Sequence, residues 1–351
     1  MNIIDFFEDT LYKILEKFSF SNFIFNKLIN FSYSIFKSDY FNKSNELNSE
    51  NDSLNLIFTD GDIKPNKTLR NIQLLYLEMF RFIDNICKKY DIEYWLYAGT
   101  LLGAVRHGGF IPWDDDLDVQ LTRNDYNKLI EVLPKEIEKY DYLKENCGLT
   151  KLVEGEKNYF TDFKSIYDVE NIEGIRGTRT KVLFLQWAWL KPFVKIDFFP
   201  MDFIKEDKFE FFKSHQRLIK FKFNQNIQKA KVNFDEEWEL RNNELGLTKE
   251  KTDFIAMSIE AYKLEETRFY NTKDIFPLKE INFDKYKFKA PNNTDACLKV
   301  SFGSNYMSLP KAIETHNTVD FVKSQFLSIE EMDKEFEKTI NYFKEINDNF
   351  E

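Results

Sequence analysis

Four aspartates occupy the five positions 114–118, and segment 117–121 then alternates apolar and polar residues as LDVQL. This alternation is typical of a β-strand with one buried face. Side chains two positions apart on a strand share a face, so we expect Asp116 and Asp118 to project together while the intervening leucine and valine enter the core. Two carboxylates held side by side repel each other unless protons or a cation neutralise them.

Two other interpretations of this acidic run stay open. A solvated acidic turn is the usual setting of clustered aspartates, but the hydrophobic residues on both sides tie this run to a buried element. A Ca²⁺-binding loop would read DxDxDG with a later glutamate, and that spacing is absent. Mg²⁺, or Mn²⁺ in its place, binds a few carboxylates together with water and substrate phosphates. The run therefore predicts a metal site for phosphoryl transfer.

A further carboxylate, Asp197, interrupts an apolar stretch at 193–199 that we predict to be a strand. A charge without a partner is costly in such a strand. Asp197 is therefore expected either to complete the metal site or to form a salt bridge with a nearby lysine or arginine.

A glycine-rich stretch, which we expect to be a loop, separates the aromatic strand predicted at 92–97 from the acidic run. Glycine at a strand end lets backbone N–H groups approach a phosphate, so Gly99 and Thr100 are candidate substrate-binding residues. Arg106 is suited to a bidentate phosphate contact, with a salt bridge as the alternative. His107 is a candidate phosphate donor or acid–base residue, and a structural role is equally open.

Composition excludes several classes of protein. The net charge of −10 argues against a nucleic-acid binder, which usually has a basic surface. The three cysteines, Cys87, Cys147 and Cys297, form no CxxC pair, which favours buried thiols in a reducing cytosol over a zinc site or disulfides. The chain has no run of 18 apolar residues and no basic signal-peptide start, so we expect a cytoplasmic protein.

The chain divides into four predicted regions. Residues 1–66 contain an amphipathic helix over 1–36, which either packs on the body or lies in a membrane interface, and a polar linker. A catalytic core is expected over 67–204 and a helical insertion, a candidate acceptor-binding region, over 205–290. Residues 291–351 would complete the core with a loop-rich segment to 318 and a last helix.

Two helices flank the predicted strands. The first spans 69–90, with Thr68 as its predicted cap and an apolar stripe of Ile72, Leu75, Met79, Ile83 and Ile86. The second follows the acidic strand, where Thr122 and Asp125 resemble a capping box. In the last helix, one face carries Ile329, Met332, Phe336, Ile340 and Phe343.

Residues 94–121, which read YWLYAGTLLGAVRHGGFIPWDDDLDVQL, closely resemble the LicD family. That family includes bacterial phosphocholine transferases and is related to the fukutin-related proteins, which transfer ribitol phosphate. The resemblance covers about 70–135 and resumes at 190–203 and 297–318. The block GTLLGAVRH…PWDDDLD makes it highly specific.

The resemblance implies an α+β protein with a nucleotidyltransferase-fold core, in which helices flank a mixed sheet. It implies that Gly99-Thr100 forms a turn beside the phosphates. It also implies that Asp116 and Asp118 bind the metal as a pair, with Asp114 as a helper and Asp197 as the third acid. The donor would be a CDP-linked alcohol, CDP-choline first, and CMP would leave. The acceptor would be a sugar of a surface glycan or a lipid-linked sugar, with peripheral membrane contact as a further expectation.

The chain departs from the family pattern at two positions. Ala98 stands where many members have Gly or Ser, and Asn305 stands where an acid is common, so we assign Asn305 no metal role. A choline donor calls for an aromatic cage around its quaternary ammonium. Candidates for this cage, which are equally candidates for the core, are Tyr94, Trp95, Trp187, Trp189 and Tyr306.

Three hypotheses therefore stand beside one another. The first is transfer of phosphocholine, ribitol phosphate or glycerol phosphate from a CDP-linked donor. The second is a nucleotidyltransferase that releases pyrophosphate. The third is a non-catalytic scaffold of glycan assembly, which has no need for clustered buried acids.

Overall fold

A computed structural model describes residues 56–59, 62–152, 159–160, 182–187, 194–228, 234–261, 268–310 and 328–350. The helix predicted over 1–36 lies outside these residues. The predicted α+β class is confirmed, because helices flank a mixed sheet. Among the described helices, none is both long enough and apolar enough to cross a membrane.

The elements up to residue 204 are β1 (Leu56–Thr59), β2 (Asp62–Pro65), α1 (Lys67–Lys89), β3 (Tyr94–Leu96), α2 (Ala98–His107), β4 (Leu117–Thr122), α3 (Arg123–Ile137), α4 (Asp141–Asn146), β5 (Cys147–Leu152), β6 (Tyr159–Phe160), β7 (Val182–Trp187) and β8 (Lys195–Ile204). After a short 3₁₀ turn, the later elements are α5 (Phe209–Gln228), α6 (Phe234–Leu245), β9 (Leu247–Thr248), β10 (Phe254–Met257), β11 (Phe269–Asn271), α7 (Thr272–Ile275), β12 (Lys279–Phe283), β13 (Tyr286–Ala290), α8 (Thr294–Phe302) and α9 (Ile329–Asp348).

Nine strands of the described residues form one mixed sheet with β8 at its centre. The first half of β8 pairs with β4 in parallel and with β7 antiparallel, and its second half pairs antiparallel with β9 and β10. Beyond these neighbours, β3 pairs with β4, β5 with β7, β6 with β5, and β11 with β10. The parallel pair β4–β8 thus lies in the middle of the sheet.

Helix α1 confirms the first predicted helix, and its apolar stripe is completely buried in the core. The predicted cap is corrected from Thr68 to Asn66, whose side-chain oxygen accepts a hydrogen bond from the Leu69 N–H at 2.9 Å. The helix starts earlier than its apolar stripe suggests, so Thr68 already belongs to its first turn.

Thr122 is confirmed as the N-cap of α3, but Asp125 bonds to its hydroxyl rather than to its backbone N–H, so only half of the predicted capping box forms. The Thr122 hydroxyl accepts a hydrogen bond from the Asp125 N–H at 3.2 Å and donates to the Asp125 carboxylate at 2.6 Å. Helix α9 is also confirmed, although Ile329 is exposed and its buried face begins at Met332.

The helical prediction for 205–290 holds only as far as α6. Beyond it, β9, β10 and β11 join the main sheet, and β12 and β13 form a separate hairpin. The many charged residues suggested exposed helix surface, but in 279–290 they alternate with Ile281, Phe283 and Phe288, which is a strand pattern. The segment expected to be loop-rich also contains a helix, α8.

Arg123, the first residue of α3, is buried in an ion-pair cluster that joins the ends of β4, β8 and β10. Its guanidinium donates to both oxygens of Asp202 at 2.9 Å, to Glu260 at 2.7 Å and to the Ser258 hydroxyl at 2.5 Å. The Trp238 indole donates to the other Glu260 oxygen at 2.6 Å, which attaches α6 to the cluster. Burial alone would lower the pKa of Arg123, but the charges of Asp202 and Glu260 outweigh it and raise the pKa.

We predict that Arg123→Met lowers the free energy of unfolding by about 3–5 kcal/mol, because it leaves two buried carboxylates without their cation. Urea denaturation followed by circular dichroism measures this loss. The control is Lys135→Met, which removes an exposed ion pair with Glu131 and should change stability little. Equal losses for the two variants would contradict the prediction.

Candidate functional site

Strands β4 and β8, which carry the predicted metal ligands, are neighbours in the sheet. Their register places Asp118 directly opposite Asp197. Both acids are half-buried, as is Asp116, which immediately precedes β4. The residues that flank the two strand acids are fully buried on the other face of the sheet: Leu117, Val119, Ile196 and Phe198. The alternation of the sequence therefore brings Asp118 and Asp197 onto one face.

Asp114 joins this group from the loop before β4. Burial raises its pKa well above the usual range, and the negative charges of Asp116 and Asp118 and a hydrogen bond with Asp116 raise it further. Asp115, by contrast, is only 2% exposed and alternates with its half-buried neighbours. We call Asp114, Asp116, Asp118 and Asp197 the acid cluster. Its members are close enough for their charges to oppose one another.

The stretch between β3 and β4, which we expected to be a loop, is largely helix α2. Gly99 and Thr100 lie in its first turn, and Arg106 and His107 lie in its last. Glycines at 99 and 103 suggested a loop, yet the helix ends only at Gly108, whose left-handed backbone (φ 71°) forms its C-terminal cap. The predicted substrate-binding residues are thus spread over both ends of one rigid helix.

The first turn of α2 fits closely against the acid cluster. A Cβ atom added to Gly99 would lie 2.8 Å from Oδ2 of Asp114, so glycine leaves the room that this carboxylate occupies. The Thr100 hydroxyl accepts a hydrogen bond from the Asp118 N–H at 2.9 Å, and the Tyr97 N–H donates to the Asp118 carbonyl at 3.1 Å. Thr100 therefore fixes the backbone of a cluster residue, a role that the sequence did not indicate.

At the other end of α2, Arg106 connects the helix to the segment 303–310. Its Nη1 donates to the carbonyl oxygens of Tyr306 and Ser308, both at 3.0 Å. Burial lowers the pKa of Arg106, and the charge of Asp114 acts in the opposite direction. Arg106 thus lies within electrostatic reach of the acid cluster, but its contacts are those of an anchor for the C-terminal segment.

His107 is exposed at the end of α2, with its ring edge-on to Trp113 at a centroid distance of 6.0 Å. Burial lowers its pKa and the charge of Arg106 lowers it further, which favours the neutral imidazole. A neutral imidazole can donate a hydrogen bond to a phosphate or take up a proton, so the predicted roles of His107 stay predictions.

The loop before β4 is held by residues that sequence reasoning missed. The buried side chain of Gln73 donates to the carbonyl oxygens of Ile111 at 3.3 Å and Asp114 at 3.0 Å. On the other side of the loop, the Asp284 N–H donates to the Gly108 carbonyl at 2.7 Å. Both contacts join segments far apart in the chain, and neither has a local sequence signal.

The structure corrects part of the predicted aromatic cage. Tyr94 and Trp95 are almost fully buried, the first donating to Asp84 at 2.6 Å and the second to Gln120 at 2.9 Å, so both belong to the core. Tyr306 is half-buried and donates to Asp295 at 2.8 Å. The Trp187 side chain and Trp189 lie outside the described residues.

Tyr97, Phe199 and Arg268 lie on the acid-bearing face of the sheet, and no sequence motif pointed to them. The rings of Tyr97 and Phe199 meet edge-on at 5.5 Å. The Arg268 guanidinium lies over the Tyr97 ring, 5.3 Å from its centroid, and donates to the Tyr97 hydroxyl.

Within the described part of the chain, no three carboxylate, imidazole or thiol side chains are already grouped closely enough to hold a metal ion. A cation at the acid cluster would therefore have to draw its ligands together. The cluster is composed only of carboxylates, which are ligands for hard cations such as Mg²⁺.

Comparison with known proteins finds a family that part of this chain resembles. Residues 91–238 match the family model described as LicD/FKTN/FKRP, nucleotidyltransferase domain. The lipopolysaccharide cholinephosphotransferase LicD of Haemophilus influenzae is 48% identical over 65 residues, which are 18% of this chain and 24% of that protein. Human ribitol 5-phosphate transferase FKRP is 42% identical over 48 residues, 14% of this chain and 10% of that protein.

An uncharacterized protein of Rickettsia prowazekii is 33% identical over 111 residues, 29% of this chain and 42% of that protein. The chain thus spans less than half the length of each of these relatives. Residues 91–238, which hold the whole acid cluster, are thus similar to the nucleotidyltransferase domain of the LicD family.

Proposed function

We propose that this chain is a metal-dependent transferase that moves an alcohol phosphate from a CDP-linked donor to a sugar hydroxyl of a cell-surface glycan. Phosphocholine is the first candidate for the transferred group, because a cholinephosphotransferase shares a 48% identical segment. Ribitol phosphate is the second, because a ribitol 5-phosphate transferase also matches. CMP is the expected leaving group.

The observation that carries the proposal is the pairing of Asp118 with Asp197 on adjacent parallel strands. Two carboxylates side by side on a sheet face repel each other, and a divalent cation would offset both charges. With Asp116 before the strand and Asp114 on the loop, the face offers oxygen ligands from two strands and a loop. A protein that only binds a glycan has no use for this arrangement.

The acid cluster fits a divalent cation in two respects. The pKa of Asp114 is raised by burial and by its acidic neighbours, so a positive charge would relieve the strain among them. The missing side chain at Gly99 also leaves the Asp114 carboxylate the space that it occupies beside α2. Asp116, Asp118 and Asp197 would hold Mg²⁺ or Mn²⁺ with Asp114 beside them. When bound, the cation would offset the charge of the donor diphosphate.

The residues of the chain then have distinct tasks. In the transfer, the acceptor oxygen forms a bond to the phosphorus of the alcohol phosphate, and the bond from that phosphorus to the CMP oxygen breaks. A carboxylate of the cluster takes the proton of the acceptor hydroxyl. Thr100 keeps the Asp118 backbone in place, and the N-terminus of α2, beside the acid cluster, would favour the negative charge of a bound phosphate.

Arg106 has an indirect task in this proposal. By holding the carbonyls of Tyr306 and Ser308, it keeps segment 303–310 against α2. Exposed Met307 and Leu309 on that segment, together with the helical pair α5–α6, are the surfaces that we assign to the acceptor.

We predict that the purified protein with Mg²⁺ converts one CDP-alcohol to CMP, slowly by hydrolysis and faster with an acceptor sugar. The assay offers CDP-choline, CDP-ribitol, CDP-glycerol and the four NTPs separately, and mass spectrometry identifies the nucleotide product. EDTA should abolish the reaction and excess Mg²⁺ or Mn²⁺ should restore it.

The product distinguishes the hypotheses. CMP supports alcohol-phosphate transfer, whereas pyrophosphate from an NTP would replace this proposal with nucleotidyl transfer. No turnover of any nucleotide, with a folded protein and several acceptor glycans, would favour a non-catalytic scaffold.

We further predict that Asp118→Asn and Asp197→Asn each lower turnover by roughly a hundredfold or more, because each removes a charge that stabilises the reacting diphosphate through the cation. Their stability should be unchanged or higher, since they remove repulsion on one sheet face. The control is Asp141→Asn, an exposed acid at the start of α4. Substantial activity of Asp118→Asn at saturating Mg²⁺ would refute the assignment.

A separate prediction concerns Gly99. Gly99→Ala places a methyl carbon 2.8 Å from Asp114 Oδ2 and should displace that carboxylate, so we expect at least about tenfold lower turnover. Gly108→Ala serves as the matched control, because a Cβ there meets open space although its backbone conformation favours glycine. Thermal denaturation accompanies both assays. If Gly99→Ala were fully active, the close fit of α2 against Asp114 would not matter for function.

A further inference from the structure

One arginine, Arg268, lies on the acid-bearing face of the sheet. Its backbone lies beside β10, on the other side of β8 from β4 and β3. Its carbonyl accepts a hydrogen bond from the Met257 N–H at 3.2 Å, which fixes its backbone beside the end of β10. Its side chain nevertheless reaches Tyr97, at the end of β3. Since β8 and β4 lie between β10 and β3, the arginine side chain crosses both strands to reach Tyr97.

The partner of Arg268 is directly connected to the cluster. The Tyr97 N–H donates to the carbonyl of Asp118 at 3.1 Å. The Tyr97 ring also meets Phe199, two residues after Asp197 and therefore on the same face of β8. Because β3 and β8 are the two neighbours of β4, these rings meet above β4. The Arg268 guanidinium thus lies about one tyrosine side chain from the backbone of Asp118.

Arg268 has the chemistry of an anion-binding residue. A guanidinium remains protonated at all physiological pH values, and its planar face stacks well on an aromatic ring while its edge donates hydrogen bonds. Stacking on Tyr97 restricts the side chain, so binding an anion costs less rotamer freedom. A substrate diphosphate that approaches four carboxylates needs positive charge besides the metal.

We propose that Arg268, oriented by Tyr97, is a donor-binding residue that contacts the diphosphate of the nucleotide. This inference rests on the proposed function, because it takes the donor to be a nucleoside diphosphate derivative. It adds a residue from a stretch of the chain, 205–290, in which we recognise no family motif. Arg268 binds the phosphates from one side, and the cation at the acid cluster binds them from another.

The position of Arg268 disfavours a choline group beside the Tyr97 ring. A quaternary ammonium would be repelled by the guanidinium that covers the Tyr97 ring, so the alcohol end of the donor points away from Arg268. In this proposal the phosphates lie between Arg268 and the alcohol end of the donor. Tyr97 acts as a positioning residue through its ring and hydroxyl.

The test measures CDP binding by isothermal titration calorimetry in Mg²⁺ for the full chain and its variants. We expect Arg268→Gln to weaken CDP binding roughly ten- to hundredfold, the range for a lost charge-assisted hydrogen bond. Arg268→Lys should retain part of the affinity, and Tyr97→Phe should lose less than Arg268→Gln. Cytidine, which lacks phosphates, should bind Arg268→Gln and wild type alike in ligand-observed NMR. The control Lys249→Ala removes an exposed positive charge and should bind CDP normally.

Mn²⁺ binding distinguishes the proposed role of Arg268 from a merely structural one. Arg268→Gln should leave Mn²⁺ binding to the nucleotide-free protein unchanged in electron paramagnetic resonance, whereas Asp118→Asn should weaken it. Equal CDP affinity of Arg268→Gln and wild type, parallel losses of CDP, cytidine and Mn²⁺, or no CDP binding by wild type would each overturn the inference.

The outcome also separates this inference from the proposed function. Binding of CDP that depends on Arg268, without turnover of any CDP-alcohol, would leave the inference standing and reject the function. Transfer activity with an unchanged donor KM in Arg268→Gln would support the proposed function and reject the inference about Arg268.

Discussion

The parallel pairing of β4 with β8 is the constraint on which the rest of the site depends. It places Asp118 opposite Asp197, and a slip of one residue would turn an acid into the core and a leucine or isoleucine onto the reactive face. Apolar residues on the buried face of both strands resist that slip. At the far end of the same pair, Arg123 binds both oxygens of Asp202, five residues beyond each acid. Buried packing and one buried ion pair therefore hold the two carboxylates in register, although neither touches a substrate.

Helix α2 packs beside the strands held in that register and helps to fix the backbone of Asp118. A Cβ on Gly103 would lie 2.4 Å from the Gly109 carbonyl oxygen, so glycine is what allows the chain to fold back against the helix directly after its last turn. Gln73 and Asp284 then hold this returning loop from two sides. The result is that one short helix supplies backbone N–H groups at its first turn and an anchor for segment 303–310 at its last. Both ends are fixed relative to Asp118.

Features with a local pattern were predictable from the sequence. Alternation identified the strand of Asp118, and a single acid in an apolar stretch identified Asp197. The helical character of α2 was missed because its glycines serve close packing rather than a turn. Gln73 and Arg268 had no local signal, because their partners lie 38 to 41 and 171 residues away along the chain. Tyr94 and Trp95 were misassigned for a related reason, since an aromatic residue in a core and one in a cage look alike in sequence.

The arrangement of charge gives the acid cluster a role in the proposed function. Burial and like charges raise the pKa of Asp114, which shows that the cluster is under electrostatic strain. In the proposed function, a cation would remove that strain, and the resulting metal site would attract the phosphates that the bare carboxylates repel. Arg268 on the same face acts in the same direction from the other side of Tyr97. In the proposed complex, the cation, the diphosphate and Arg268 would neutralise one another, so the repulsion among the carboxylates would become affinity for the donor.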